Sequence, residues 1–156
     1  EVAKAVESGG ADAVTVHGRS RDMFYSGRAD LDVIRQVKQA VKIPVIGNGD
    51  VSDYDSYKKM TEYCGVDGVM IARGAIGRPY IFSEILKIPY EFNIYNAIKE
   101  HLELLSHLDE RVAVNNLKKQ IVFYIKGVRG AKYIKENAFK AESKEDLLSV
   151  LHQMLL

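Results

Sequence analysis

Three short segments carry residue types that could do chemistry. The first is His17-Gly18-Arg19-Ser20-Arg21, which follows the β-branched run Ala13-Val14-Thr15-Val16. An imidazole at a strand end can donate to a phosphate or to a ring oxygen, or it can be satisfied by a backbone carbonyl. The residue alone leaves both readings open. The second is Ile46-Gly47-Asn48-Gly49-Asp50. Glycine permits positive φ and close backbone approach, and N–H groups exposed in such a loop can cradle a phosphate. Taken singly, it reads equally as a tight strand-to-helix turn. The third is Ile71-Ala72-Arg73-Gly74-Ala75-Ile76-Gly77-Arg78-Pro79. Here two glycines keep a loop open beside Arg73, which can reach an anion. The second and third loops together point to a phosphate-bearing cofactor, the chemistry that such loops and a short helix N-terminus often provide in parallel barrels.

The elements that must position these loops are legible as a repeat. Glu1–Ser8 has a helical pattern and stops at Gly9-Gly10. Ala13–Val16 reads as a strand, and Leu31–Val41 as a helix with Leu31, Ile34, Val37 and Val41 on one face. Pro44–Ile46 is a second strand. Ser52 is expected to cap a helix running to about Tyr63, with Asp55 as the acid of a capping box. Gly68–Ile71 is a third strand, followed by a loop and a short helix within Arg73–Ile85. Alternating strands and helices imply a parallel sheet with helical crossovers. A doubly wound sheet and a (β/α)8 barrel both satisfy the pattern. A barrel takes about 250 residues, so this chain would supply only its last segment.

The pattern changes after Pro89. Asn93–Leu108 has Ile94, Ala97, Ile98, Leu102, Leu105 and Leu108 at helical spacing. A second helix starts at Asp109 or Glu110 and is interrupted by Gly127 and Gly130, and Ser143 caps a last one. Between Leu117 and Lys140, Lys118, Lys119, Lys126, Arg129, Lys132, Lys135 and Lys140 face the single acid Glu136, with Tyr124 and Tyr133 interleaved. On a continuous helix Lys119 and Lys126 share a face. Such a stripe can follow an RNA backbone or be simply a solvated face. The whole 156-residue chain is nearly neutral, at +1, so any basic surface is local. No apolar run approaches the roughly 18–20 residues of a membrane span. The lone cysteine, Cys64, excludes a disulfide framework and a Cys-rich metal site, and fits a reducing cytoplasm. The chain begins at Glu1 within a helical pattern and without an initiator methionine, which reads as a fragment.

These motifs resemble the C-terminal half of the tRNA-dihydrouridine synthases. The matching residues are His17-Gly-Arg-Ser-Arg21 with Tyr25, Gly27, Ala29 and Asp30; Ile43-Pro-Val-Ile-Gly-Asn-Gly-Asp50; and Asp67-Gly-Val-Met-Ile-Ala-Arg-Gly-Ala75 with Gly77, Pro79, Ile81 and Phe82. Met23, Leu31, Ala72 and Tyr80 depart from residues common in that family. The resemblance implies an α/β fold, the C-terminal portion of a TIM (β/α)8 barrel with about three strands, followed by a small all-helical domain. It implies a barrel part at 1–88 and a helical tRNA-binding domain at 89–156.

It further implies an oxidoreductase that reduces the C5=C6 bond of uridine in tRNA, with FMN as cofactor and NADPH as reductant. His17, Asn48, Gly49, Asp50, Ala72 and Arg73 would contact FMN. Arg19, Arg21, Lys118, Lys119, Lys126 and Arg129 would contact tRNA. The family's catalytic cysteine lies upstream of the residues here, so no catalytic residue is assigned and the chain alone is expected to be inactive. Cys64, just before the third strand, reads as a structural thiol. Self-association through exposed barrel edges is expected. Two other functions remain open: a tRNA-binding module without chemistry, and part of another FMN barrel acting on a small metabolite.

Overall fold

The computed structural model describes residues 1–24 and 26–155. The chain divides into two compact units, one of Glu1–Ala75 with Ile81–Pro89 and the other of Ile76–Tyr80 with Tyr90–Leu156. Each has its own core. The first is built on a three-stranded parallel sheet, so the class is α/β.

In the first unit the order is α1 (Val2–Ser8), β1 (Val14–His17), α2 (Leu31–Ala40), β2 (Val45–Asn48), α3 (Tyr54–Cys64), β3 (Gly68–Met70) and α4 (Ile81–Leu86). The sheet runs β1-β2-β3. His17 pairs with Asn48 and Asn48 with Met70, so the register aligns the ends of all three strands. β1 and β2 each extend beyond the residues expected of them, which makes His17 and Asn48 their last members.

Strand residues alternate between two faces. Val14, Val16, Val45 and Val69 join Ile34, Val37, Met60 and Cys64 in a single apolar core, so α2 and α3 cover one face. A Cβ on Gly47 would lie 2.7 Å from Sδ of Met60, which shows how closely α3 approaches β2. The other face carries Thr15, His17, Ile46, Asn48 and Met70, of which Thr15, His17 and Met70 are exposed.

Local polar bonds set the ends of these elements. Asp30 accepts from the N–H groups of Asp32 and Val33 and so caps α2. The cap of α3 is Asp53, not Ser52. Asp53 is extended, its carboxylate accepts from Ser56 N–H, and Ser56 Oγ accepts from Asp53 N–H, so Ser56 rather than Asp55 closes the capping box. Below the sheet, Asp67 accepts from Lys38 Nζ at 2.6 Å and from Val45 N–H at 2.7 Å, pinning the start of β2. The carboxylate of Glu7 does the same for the N–H groups of Lys42 and Ile43.

The second unit is helical: α5 (Ile94–Leu104), α6 (Glu110–Tyr124), α7 (Ala131–Ala138) and α8 (Lys144–Leu155). Ile98, Leu102, Val114, Leu117, Ile121, Ile134, Leu147 and Leu151 form its buried core. Asn93 and Asp109 cap α5 and α6, and Ser143 Oγ accepts from Asp146 N–H at the start of α8. The continuous helix through Lys126 is not formed. α6 ends at Tyr124, and Gly127 and Gly130 both adopt positive φ, +83° and +77°, which breaks the helix before α7.

Candidate functional site

A cleft of about 410 Å³ opens at the carboxyl end of the sheet. It is lined by His17, Asn48, Gly49, Asp50, Ala72 and Arg73, together with Val51, Ser52, Met70 and Gly74. The six residues expected to contact a cofactor thus come from three separate loops into one cavity. The last four residues were missed. Met70 could have been found from register, because it follows Asn48 on the same sheet face. Val51, Ser52 and Gly74 line the cleft through loop packing that no local pattern encodes.

The geometry of the Gly49–Asp50 loop follows from backbone conformation. Gly49 has φ +133°, and a Cβ there would strike Ala29 and come within 3.3 Å of Nδ1 of His17. Asp50 also has a positive φ, +56°. At Gly74 a Cβ would collide with the carbonyl of Val51, so the Asp50 and Arg73 loops meet backbone to backbone. Asn48 Nδ2 donates to the Met70 carbonyl at 2.8 Å, which orients its amide across β2 and β3.

Charge is arranged around Asp50. Its Oδ2 accepts from Arg19 Nη2 at 2.7 Å and from Ala29 N–H at 2.8 Å, and its Oδ1 accepts from Arg73 Nη2 at 3.2 Å. Burial pushes the carboxyl up, but the Ala29 and Arg19 hydrogen bonds and the two guanidinium charges outweigh it and hold the group below the usual carboxylate value. With both oxygens occupied, Asp50 organises the loop. The positive group offered to the cleft is Arg73, whose side chain is 51% exposed.

Arg19 requires a correction. It was expected to face RNA, but its side chain is only 4% exposed. It donates to Ser26 and Gly27 carbonyls at 3.2 and 2.8 Å as well as to Asp50. Those partners turn the guanidinium inward, so it ties two loops together. Arg21 is exposed on the 3-10 turn Arg21–Met23. In the second unit Lys119, Lys126 and Arg129 are exposed and Lys118 is half-buried. Lys118 and Lys119 lie on α6, while Lys126 and Arg129 lie in the connection to α7. Tyr25 falls outside the described residues.

Cys64 is buried at the end of α3, its Sγ 3.4 Å from the Leu31 carbonyl, and burial pushes its thiol up. It does not line the cleft. Among the described residues no group of His, Cys, Asp and Glu could hold a metal ion, and no helix is long and apolar enough to cross a membrane.

Parallel strands, glycine loops at their carboxyl ends and a half-exposed arginine over the cleft define a class: α/β proteins with a cleft at the carboxyl ends of their parallel strands. Comparison with known proteins narrows it. The family described as "Dihydrouridine synthase (Dus)" matches residues 1–156. The chain belongs to this family.

Among curated relatives it is similar to a "Probable tRNA-dihydrouridine synthase" of Rickettsia conorii, 42% identical over 81% of this chain and 41% of the relative. It is 32% identical to "Probable tRNA-dihydrouridine synthase 1" of a Synechocystis species, over 99% of this chain and 46% of the relative. It is 49% identical to "tRNA-dihydrouridine synthase B" of Pectobacterium carotovorum over 54% and 26% of the two chains. The chain therefore spans less than half the length of each of these relatives.

Proposed function

We propose that these residues form the phosphate-holding side of an FMN site and a tRNA-binding helical unit in a tRNA-dihydrouridine synthase that uses NADPH. The carrying observation is that His17, Asn48, Gly49, Asp50, Ala72 and Arg73 line one cleft. The residues fit the group: glycines leave room for close approach, Arg73 brings positive charge, and the one carboxylate is already neutralised by its neighbours. In this reading the sheet is part of a (β/α)8 barrel. Support comes from the sequential order β1-β2-β3 with α2 and α3 over one face, which leaves the face bearing His17 and Asn48 open.

Bound FMN would supply the hydride that reduces the uracil C5=C6 bond. Arg73 would hold the phosphate by charge-assisted hydrogen bonds. Asn48, fixed by the Met70 carbonyl, would present the remaining edge of its amide to the cofactor. His17 would present its imidazole at the end of β1. Arg19 would preset the Gly49–Asp50 loop and so lower the ordering cost of binding. Residues 1–89 supply only part of such a site, and the 156-residue chain by itself is expected to give no turnover.

The test joins these residues to the portion of the Synechocystis relative that they do not match and assays dihydrouridine in unmodified tRNA with FMN and NADPH. Turnover that falls at least tenfold in Arg73→Ala is expected. A folded chimera that binds no FMN would sink the reading. Turnover by the 156-residue chain alone would overturn the statement that it is inactive. A second reading, a tRNA-binding module without chemistry, is favoured by the closed core of the helical unit. A folded chimera that retains tRNA but forms no dihydrouridine would select it.

A further inference from the structure

The helical unit carries an aromatic stack that the proposed chemistry does not use. The rings of Tyr80 and Tyr90 lie 5.2 Å apart with their planes at 11°, and Phe92 packs 4.5 Å from Tyr80 at 54°. The Arg78 guanidinium sits 5.6 Å from the centre of the Tyr80 ring. The stack ends in a ring that solvent reaches. Tyr90 is 46% exposed while Tyr80 and Phe92 are half-buried.

The stack is anchored. Gly77, at φ +71°, lies so near α6 that a Cβ would come 2.5 Å from the carbonyl carbon of Phe123. This seats the segment Ile76–Tyr80 at the C-terminal end of α6. The exposed Lys126 and Arg129 follow from that same end. A half-exposed, stacked ring on a unit that also exposes cations is an arrangement that can bind single-stranded nucleic acid: the ring takes a base face and the cations take phosphates.

We propose that Tyr90, backed by Tyr80, is a stacking platform for one unpaired base of RNA. The proposal rests on the reading that this unit binds tRNA, and it adds a contact to a base where the lysines contact only the backbone. The stack favours RNA over an acidic peptide, because every nucleotide brings a base face that can continue it, whereas the Asp and Glu side chains that carry a peptide's charge do not.

The experiment titrates the 156-residue chain into a single-stranded oligouridylate containing one 2-aminopurine, at several salt concentrations. Quenching of the aminopurine reports stacking. Tyr90→Ala is expected to abolish most of the quenching and to weaken binding about tenfold, leaving the slope of log affinity against log salt unchanged. Tyr90→Phe retains both signals. Tyr90→Leu, which keeps apolar packing without a ring, behaves like Tyr90→Ala and covers the case in which the alanine variant loses its helical circular dichroism.

Lys126→Ala and Arg129→Ala are expected to do the reverse, each lowering the salt slope by about one while quenching at saturation persists. If Tyr90→Ala matches the parent while the cationic variants lose slope, the platform is overturned and the basic surface stands. If the parent binds no oligonucleotide at low salt, both fall. Equal displacement by polyglutamate, insensitive to Tyr90, shows a polyanion surface only and also overturns the platform.

Discussion

At the scale of single residues, the site depends on how Arg19, Asp50 and Arg73 share charge. Arg19→Ala removes one of the three donors to Asp50, which keeps Ala29 N–H and Arg73, and takes a donor from the Ser26 and Gly27 carbonyls. A half-exposed carboxylate regains some water, so the loss is expected at about 2–3 kcal/mol, below the value for a fully buried pair. A shift of the urea midpoint measures it. Lys at the same position is not expected to restore stability, because an ammonium cannot reach three acceptors with a planar fork. Asp50 adds an acid dependence. Its folded carboxyl sits below its ordinary 3.8, so its contribution is complete above that pH and drains away as pH falls through the folded value. Asp50→Asn is expected to flatten that part of the acid unfolding curve, leaving the share of Asp67, which Lys38 holds down in the same direction. His17, Asn48 and Arg73 were legible in the sequence because each stands beside a strand end or a glycine. The inward turn of Arg19 was not, because its partners Ser26, Gly27 and Asp50 are fixed only when two loops meet.

At the scale of elements, helices were legible where a cap and an apolar face coincide, as in α2 behind Asp30 and α6 behind Asp109. The sequence misled where two candidates compete for one role. Ser52 and Asp53 both suit a cap, and the bonds between Asp53 and Ser56 decide for Asp53. α6 stops at Tyr124, two residues short of Lys126, so Lys119 lies on the helix and Lys126 in the connection after it. Gly77 and Gly127 show how differently glycines matter. Both have positive φ, but a Cβ at Gly127 meets nothing within 4 Å. Gly127→Ala is therefore expected to cost about 1–2 kcal/mol of backbone strain. Gly77→Ala adds a collision with Phe123 and is expected to cost about 2–4 kcal/mol, read from thermal unfolding. The α5–α6 contact adds a pH dependence. Nδ1 of His101 lies 3.2 Å from Tyr124 Oη, and burial holds the imidazole below its ordinary 6.5. The unfolded chain then binds the proton first, so stability is full above 6.5 and falls as pH drops below it. His101→Phe is expected to remove that slope, which unfolding at stepped pH between 7 and 5 would reveal.

At the scale of the molecule, the helical unit closes its own core whereas the sheet does not. α2 and α3 cover one face of the sheet, and Thr15, His17 and Met70 stand exposed on the other. Among the described residues β1 and β3 each have an edge with no partner strand. Open edges present unpaired N–H and C=O groups, and a half-apolar open face adds a reason to stick. The alternation of strands and helices revealed the parallel sheet, but three strands could not show which architecture completes it. That choice rests on chain order, the open face and the family. The 156-residue chain is therefore expected to associate with itself, its weight-average mass in sedimentation rising with concentration. Met70 is 50% exposed on the open face, so Met70→Lys can place a charge there at little cost to the fold. It is expected to lower the association at least several-fold while leaving the helical content unchanged. A chain that stays monomeric across the whole concentration range, with its far-ultraviolet spectrum intact, would show that the open face and edges are tolerated in water and would remove this expectation.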